Sequence, residues 1–294
     1  MPGAMALSDP TLAVESPLLA FEIGDAEALV AEAGWNQVAA DWRIFLEFGT
    51  VHAVRNAAGR VVATASTLPH DGRFAWISMV LVNAGYRRQG LARRLMRRCI
   101  DDLTSAGLVP VLDATPAGRE VYRKLGFQDS WAYQRLTLKA RRAAPEQSRA
   151  QVDVRRIDDL AWDALCAYDA DAFGARRGAL LSRLRGRLPE AEYYAMRGGK
   201  IAGFMLGRDG RIASHIGPLI AEDEAVAQAL LQRAVEAIAG PIFLDFADAK
   251  TDTSRWLAAV GFTPARPLTR MLLGRSERFD DPHRTFAVVG PEFG

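Results

Sequence analysis

The segment from Ile77 to Met96 constrains this chain most. Ile77-Ser78-Met79-Val80-Leu81-Val82 is apolar and β-rich, and Asn83-Ala84-Gly85-Tyr86 turns the chain. Arg87-Arg88-Gln89-Gly90 follows, and apolar residues then recur at helical spacing as Leu91, Leu95, Cys99 and Leu103. The reading is strand, tight loop, helix. Free N–H groups of a first helical turn, together with the helix dipole, make an anion site. Gly90 and Ala92 let a bulky anion approach the main chain, and Arg87 and Arg88 can add charge-assisted hydrogen bonds. A diphosphate is the natural guest. The competing reading is a basic helix start that faces solvent. The Gly-x-Gly-x-x-Gly and Gly-Lys-Ser/Thr loops of other nucleotide folds are absent.

Two motifs in order resemble a known family. Arg87-x-x-Gly90-x-Ala92, preceded by Val82 and Tyr86, is similar to the pyrophosphate loop of the GCN5-related N-acetyltransferases (GNAT). Tyr122-Arg123-Lys124-Leu125-Gly126-Phe127 resembles that family's Tyr-x-x-x-Gly-Phe ending, one helix after the fifth strand. Strands are expected at Thr50–Arg55, Arg60–Leu68 and Phe74–Val82, a helix to Ala106, and a strand at Leu108–Asp113. Upstream, Phe21–Ile23 reads as a strand and Asp25 as a helix cap. Gly34-Trp35-Asn36-Gln37 and Leu112-Asp113-Ala114-Thr115-Pro116-Ala117-Gly118 resemble a bacterial subgroup with a second domain.

The length of 294 residues suits two domains. The second half repeats the order of the first, with Gly261-Phe262 echoing Gly126-Phe127. The expected fold is α/β (α+β), two tandem GNAT-like domains, each a mixed, mostly antiparallel sheet flanked by helices. The expected division is a flexible tail at 1–17, a catalytic domain at 18–140, an exposed linker at 141–151, and a degenerate second domain at 152–294. The apolar ending Phe286 to Gly294 is expected to dock as a final strand. In the second copy, Ala221-Glu222-Asp223-Glu224 stands where the first has Arg87-Arg88-Gln89-Gly90. Carboxylates suit a helix start but repel a diphosphate, so this copy is not expected to bind coenzyme A in the usual way.

Charge is balanced, with 37 Lys and Arg against 35 Asp and Glu, which argues against a strongly electrostatic nucleic-acid binder and leaves only a local basic patch open. Cys99 and Cys166 both lie in expected helices, so no disulfide is expected. His52, His70, His215 and His283 are scattered, and no metal site is expected. No apolar run approaches about 18 residues and no basic-led apolar leader opens the chain. The expectation is a soluble cytoplasmic protein with no membrane partner. A monomer is preferred, since the duplication can replace a dimer; a homodimer stays open.

The resemblance implies acetyl transfer from acetyl-coenzyme A to an amine. It implies that the pantetheine arm pairs with the strand before the loop, so Met79, Val80, Leu81 and Val82 join Arg87, Arg88, Gln89, Gly90, Leu91 and Ala92 as cofactor-binding residues. An N–H of Met79 or Val80 would polarise the thioester carbonyl. Tyr122 matches the tyrosine that protonates the departing thiolate, a task that suits a phenol of ordinary pKa about 10. Its alternative is a packed aromatic. Arg123 is placed with the coenzyme or with water. Asp113 is either a base for the acceptor amine or a brace for the Thr115-Pro116 turn. Trp35 and His70 are candidates for the acceptor side, against packing and an exposed turn respectively. Asp169, Asp171, Asp245 and Asp248 would favour a cationic acceptor, or serve as caps and surface charges. A small-molecule amine leads as acceptor. A protein amine, or a non-catalytic acyl-coenzyme A sensor, stands behind it.

Overall fold

A computed structural model describes residues 16–143, 152–159 and 162–294. Residues 1–15 of the expected tail at 1–17 and most of the expected linker, 144–151, lie outside the described residues, while Ser16 and Pro17, expected in the tail, form a short strand. By packing, the chain forms two compact units, residues 1–110 and 111–294.

The first unit carries β1 (Ser16–Pro17), α1 (Ile23–Glu32), α2 (Ala39–Phe48), β2 (Thr50–Arg55), β3 (Val61–His70), β4 (Phe74–Val82) and α3 (Leu91–Ser105). The strands run antiparallel in the order β1-β2-β3-β4. Phe21 and Glu22, expected in a strand, instead form a 3-10 turn over Ala20–Glu22 that leads into α1. The Glu22 carboxylate takes the Leu19 N–H at 2.8 Å and pairs with Arg55, which closes this turn. Helix α3 buries Leu91, Leu95, Met96, Cys99 and Leu103 against β3 and β4, the stripe its 3.6-residue period lays down. Each such buried side chain contributes about 1.5–3 kcal/mol.

Strand β4 is not regular. The β3–β4 register shifts between Thr64 and Ser66, opposite Leu81 and Ser78, so Met79 and Val80 together face Ala65. Met79 sits at φ 50°, costly for a residue with a Cβ, and Thr64 Oγ1 donates to its carbonyl at 2.8 Å. The bulge therefore falls at the two residues singled out for the thioester carbonyl.

In the second unit, β5 (Val109–Ala114, of which Val111–Ala114 lies here) leads to α4 (Pro116–Arg123) and β6 (Phe127–Leu138). Then come β7 (Asp153–Arg156), α5 (Trp162–Phe173), α6 (Gly178–Leu184), β8 (Tyr193–Arg197), β9 (Lys200–Arg208), β10 (Ser214–Ala221) and α7 (Glu224–Ala237). Strand β11 (Ile242–Ala247), α8 (Thr251–Val260), β12 (Thr263–Leu273) and β13 (Thr285–Ala287) complete it. The strand order is β5-β12-β6-β11-β13-β10-β9-β8-β7. The two sequence copies thus exchange final strands. Strand β6 of the first copy pairs with β11, and β12 of the second pairs with β5. The exchange draws β5, α4 and β6 into the second unit, so the packing units do not follow the repeat. Helices α7 and α8 cover one sheet face with Leu230, Leu231, Trp256 and Leu257.

Strands β10 and β11 pair in parallel only from Ser214 and Ile242 to Ile216 and Leu244. Beyond that they part, and β13 enters the gap: Ala287 pairs with both Leu219 and Phe246. Val288 N–H donates to the Asp245 carbonyl at 3.2 Å. Among the described residues no helix is long and apolar enough to cross a membrane.

Candidate functional site

The loop before α3 leaves the first helical turn uncapped. Its residues Arg87, Arg88, Gln89, Gly90 and Ala92 are exposed, and Leu91 anchors the helix in the core. Gly90 is the N-cap at φ 80°, a conformation that favours glycine, and no side chain caps this terminus. The first helical bond runs from Arg94 N–H to the Gly90 carbonyl, which leaves the N–H groups of Leu91, Ala92 and Arg93 without a helical acceptor. Among the described residues Arg88, at φ 63°, makes no ion pair. Arg87 is committed: Nε donates to the Val82 carbonyl at 3.1 Å and Nη2 meets Glu32 Oε1 at 3.1 Å.

The corresponding terminus in the second copy is closed by its own sequence. Asp223 is the N-cap of α7, and its carboxylate takes the Val226 N–H at 2.9 Å and Arg197 Nη1 at 2.6 Å. Arg197 beside it holds the Asp223 carboxyl below the usual carboxylate range. A bound anion would have to displace that carboxylate.

Tyr122 lies on α4. Thr115 caps this helix by accepting the Gly118 N–H, and Pro116 stands at its first position. Tyr122 is half-buried with its ring edge-on to Phe127, and burial pushes its phenol above its ordinary value. It is a protonated phenol across the physiological range. The position of α4 is set by Asp129, a residue without a distinguishing local signal. Arg119 donates to Asp129 Oδ1 at 3.0 Å, and Arg123 joins the same carboxylate. The two guanidinium groups hold Asp129 down to about 2. Arg123, expected at the coenzyme, is thereby occupied by Asp129 and Glu120. Asp129→Asn is expected to lower kcat severalfold while leaving Tm within a few degrees, read by steady-state rates beside a thermal melt. An unchanged kcat would show that the anchoring of α4 does not reach the chemistry.

Asp113, at the end of β5, is fully buried and bidentate with Arg270 of β12 at 2.9 and 3.0 Å. Arg270 stacks on Trp131, 4.7 Å from the ring centroid. Both oxygens of Asp113 thus accept hydrogen bonds from the Arg270 guanidinium. Arg270 stands 157 positions along the chain from Asp113, and no local signal joins them. His70, a candidate for the acceptor side with an exposed turn as the alternative, ends β3 and is only 3% exposed, with its ring 5.6 Å from Phe74 and 5.7 Å from Trp76; the exposed-turn alternative does not hold. Trp35 is partly exposed between α1 and α2, beside buried Asn36 and Gln37. Ser66 and Ser78 share a buried hydrogen bond of 2.9 Å next to the β4 bulge.

Three of the acidic residues weighed for a cationic acceptor, Asp169, Asp171 and Asp245, are engaged elsewhere. Asp169 is buried against Arg177 at 2.9 Å, and exposed Asp171 pairs with Arg284. Asp245 accepts from Arg135 at 2.8 and 2.6 Å and lies 3.0 Å from His215 Nε2, all three buried. Among the described residues no group of His, Cys, Asp and Glu could hold a metal ion.

Two family models match the chain: the acetyltransferase (GNAT) family over residues 24–127, and an acetyltransferase (GNAT) domain over 165–287. The uncharacterized N-acetyltransferase YitH of Bacillus subtilis (strain 168) is 26% identical over 235 residues, which is 80% of this chain and 82% of that protein. The fold is similar to that of a putative acetyltransferase from Pyrococcus horikoshii, at 19% identity and a TM-score of 0.79, covering 100% of this chain and 99% of that one. It is also similar to a tandem GNAT protein from the clavulanic acid biosynthesis pathway, at 17% identity and a TM-score of 0.61, covering 89% of this chain and 98% of that one.

Proposed function

From a chain that belongs to the GNAT acetyltransferases, with two such domains in tandem, we propose one donor site: acetyl-coenzyme A held by the loop Arg87–Ala92, with its acetyl group passed to the amine of a small molecule. The observation that carries this reading is the contrast between the two helix termini. Helix α3 opens with uncapped N–H groups and a free arginine, while α7 opens with its own carboxylate over the same groups. The β4 bulge at Met79 and Val80 turns backbone out of the ladder where a carbonyl would be polarised. The residues of the second copy, 152–294, are read as a degenerate domain, its strand gap taken by β13. Strands exchanged within one chain favour a monomer.

In this reading the neutral amine attacks the thioester carbon, the carbon–sulfur bond breaks, Tyr122 gives its phenolic proton to the sulfur, and the proton shed by the acylated nitrogen returns through solvent to restore the phenol. A phenol kept protonated by burial suits that role. Asp113 braces β12 through Arg270 rather than taking a proton. Tyr122→Phe is expected to lower kcat on the order of 10²-fold with KM for acetyl-coenzyme A little changed. The check is thiol release with a library of small amines and of peptides. Release with peptides alone would move the acceptor to protein. Binding without release by any amine would make the protein a sensor.

A further inference from the structure

The diphosphate loop is held from behind by an acidic residue. Glu32, the last residue of α1, lies 52 positions before Ala84 and gathers three donors from the loop. Its Oε1 accepts the Ala84 N–H at 2.6 Å and Arg87 Nη2 at 3.1 Å. Its Oε2 accepts Asn83 Nδ2 at 2.7 Å, while Asn83 Oδ1 takes the Gly85 N–H at 3.1 Å. A carboxylate beside an anion site should repel the anion. Here it neutralises Arg87 and fixes the chain between the end of β4 and the first turn of α3. Only an acceptor-only group can serve three converging donors; an amide would present N–H to at least one of them.

We propose that Glu32 is a positioning residue that preorganises the loop for the diphosphate of the donor, and that Arg88, not Arg87, is the arginine that meets it. The proposal rests on the donor reading above. Ordering the loop in advance removes an entropy cost from binding, so the role of Glu32 lies in affinity rather than in the chemical step. Glu32 borders a cavity of about 230 Å³ lined also by Asp25, Asn56, Tyr86 and Arg60, and its side chain is 30% exposed. Shortening it leaves the packed core intact.

The test is titration of the full chain with acetyl-coenzyme A, with thermal melts and steady-state rates beside it. Glu32→Ala and Glu32→Gln are each expected to weaken binding about tenfold, raising KM for acetyl-coenzyme A at unchanged kcat and with Tm held. Adding Asn83→Ala to Glu32→Ala should cost little more, since both cut one network. Arg88→Ala is expected to weaken binding about tenfold and Arg87→Ala clearly less. Tighter binding by Glu32→Ala would show that the carboxylate acts by repulsion, and unchanged binding would show that it acts on nothing; either overturns the proposal. Equal losses from Arg87→Ala and Arg88→Ala overturn it too, and decide the matter should Glu32→Ala fail to fold. A wild-type protein that binds no acetyl-coenzyme A overturns the donor reading itself, and this proposal with it.

Discussion

Replacing Arg88 and Gly90 together by glutamate is expected to weaken acetyl-coenzyme A binding on the order of 10³-fold. The double variant makes the start of α3 resemble the start of α7. Arg88→Glu turns the one unpaired loop cation into an anion. Gly90→Glu places a Cβ at φ 80°, a conformation that costs about 1–2 kcal/mol, and sets a carboxylate beside the uncapped N–H groups. Asp223 already does this in the second copy by capping Val226. Isothermal titration checks the expectation, and wild-type binding should show one site per chain. Two sites would mean that α7 accepts a diphosphate despite its cap. Retained binding in the double variant would remove the loop from the donor site. The converse change, Asp223→Arg, is not expected to create a second site, because β13 still lies between β10 and β11.

Asp245→Ala is expected to destabilise the protein by about 3–5 kcal/mol, because it strands Arg135 and His215 in the core. In the intact chain Arg208 Nη2 approaches His215 Nδ1 at 3.1 Å, so Nδ1 accepts and Nε2 carries the proton toward Asp245. Arg208 also pairs with Glu292. Arg135 and His215 hold the Asp245 carboxyl below the usual carboxylate range against the cost of its burial, and burial pushes His215 below its ordinary 6.5. Both shifts act in one direction. The unfolded chain binds a proton at His215 below pH about 6.5 that the folded chain refuses, so stability declines from there. Asp245 adds a second decline once the pH falls below the ordinary carboxylate value of 3.8. Urea unfolding of wild type and variant at pH 7.5, 5 and 3 tests these statements. A variant loss under 1 kcal/mol would show that the pair does not hold this core together. Arg135→Met in the Asp245→Ala background should recover part of the loss, since it removes the stranded charge.

The sequence by itself determined the local devices. The apolar, β-rich run Ile77–Val82 marked β4, Gly90 marked a place of close approach to the main chain, and the stripe Leu91, Leu95, Cys99 and Leu103 marked α3. The carboxylates Glu222, Asp223 and Glu224 marked a helix start, and the apolar ending marked a segment whose first residues lie in β13, Thr285–Ala287. These signals are local because backbone conformation, capping and amphipathic period are decided within a few residues. Where local signals were thin they misled or left a choice: Phe21 looked like strand until Glu22 closed its turn, and an exposed turn stayed open for His70 until Phe74 and Trp76 enclosed it. Tertiary structure alone decided which charges are available. Asp113 could be base or brace until Arg270 met it from 157 positions away, and Arg87 and Arg88 were equivalent until Glu32 claimed one of them. The exchange of β6 and β12 was equally invisible, since a strand's sequence says which face is buried but not which neighbour supplies its hydrogen bonds. Partner choice is a long-range matter, fixed by which chain segments fill the same space, and no residue carries it alone.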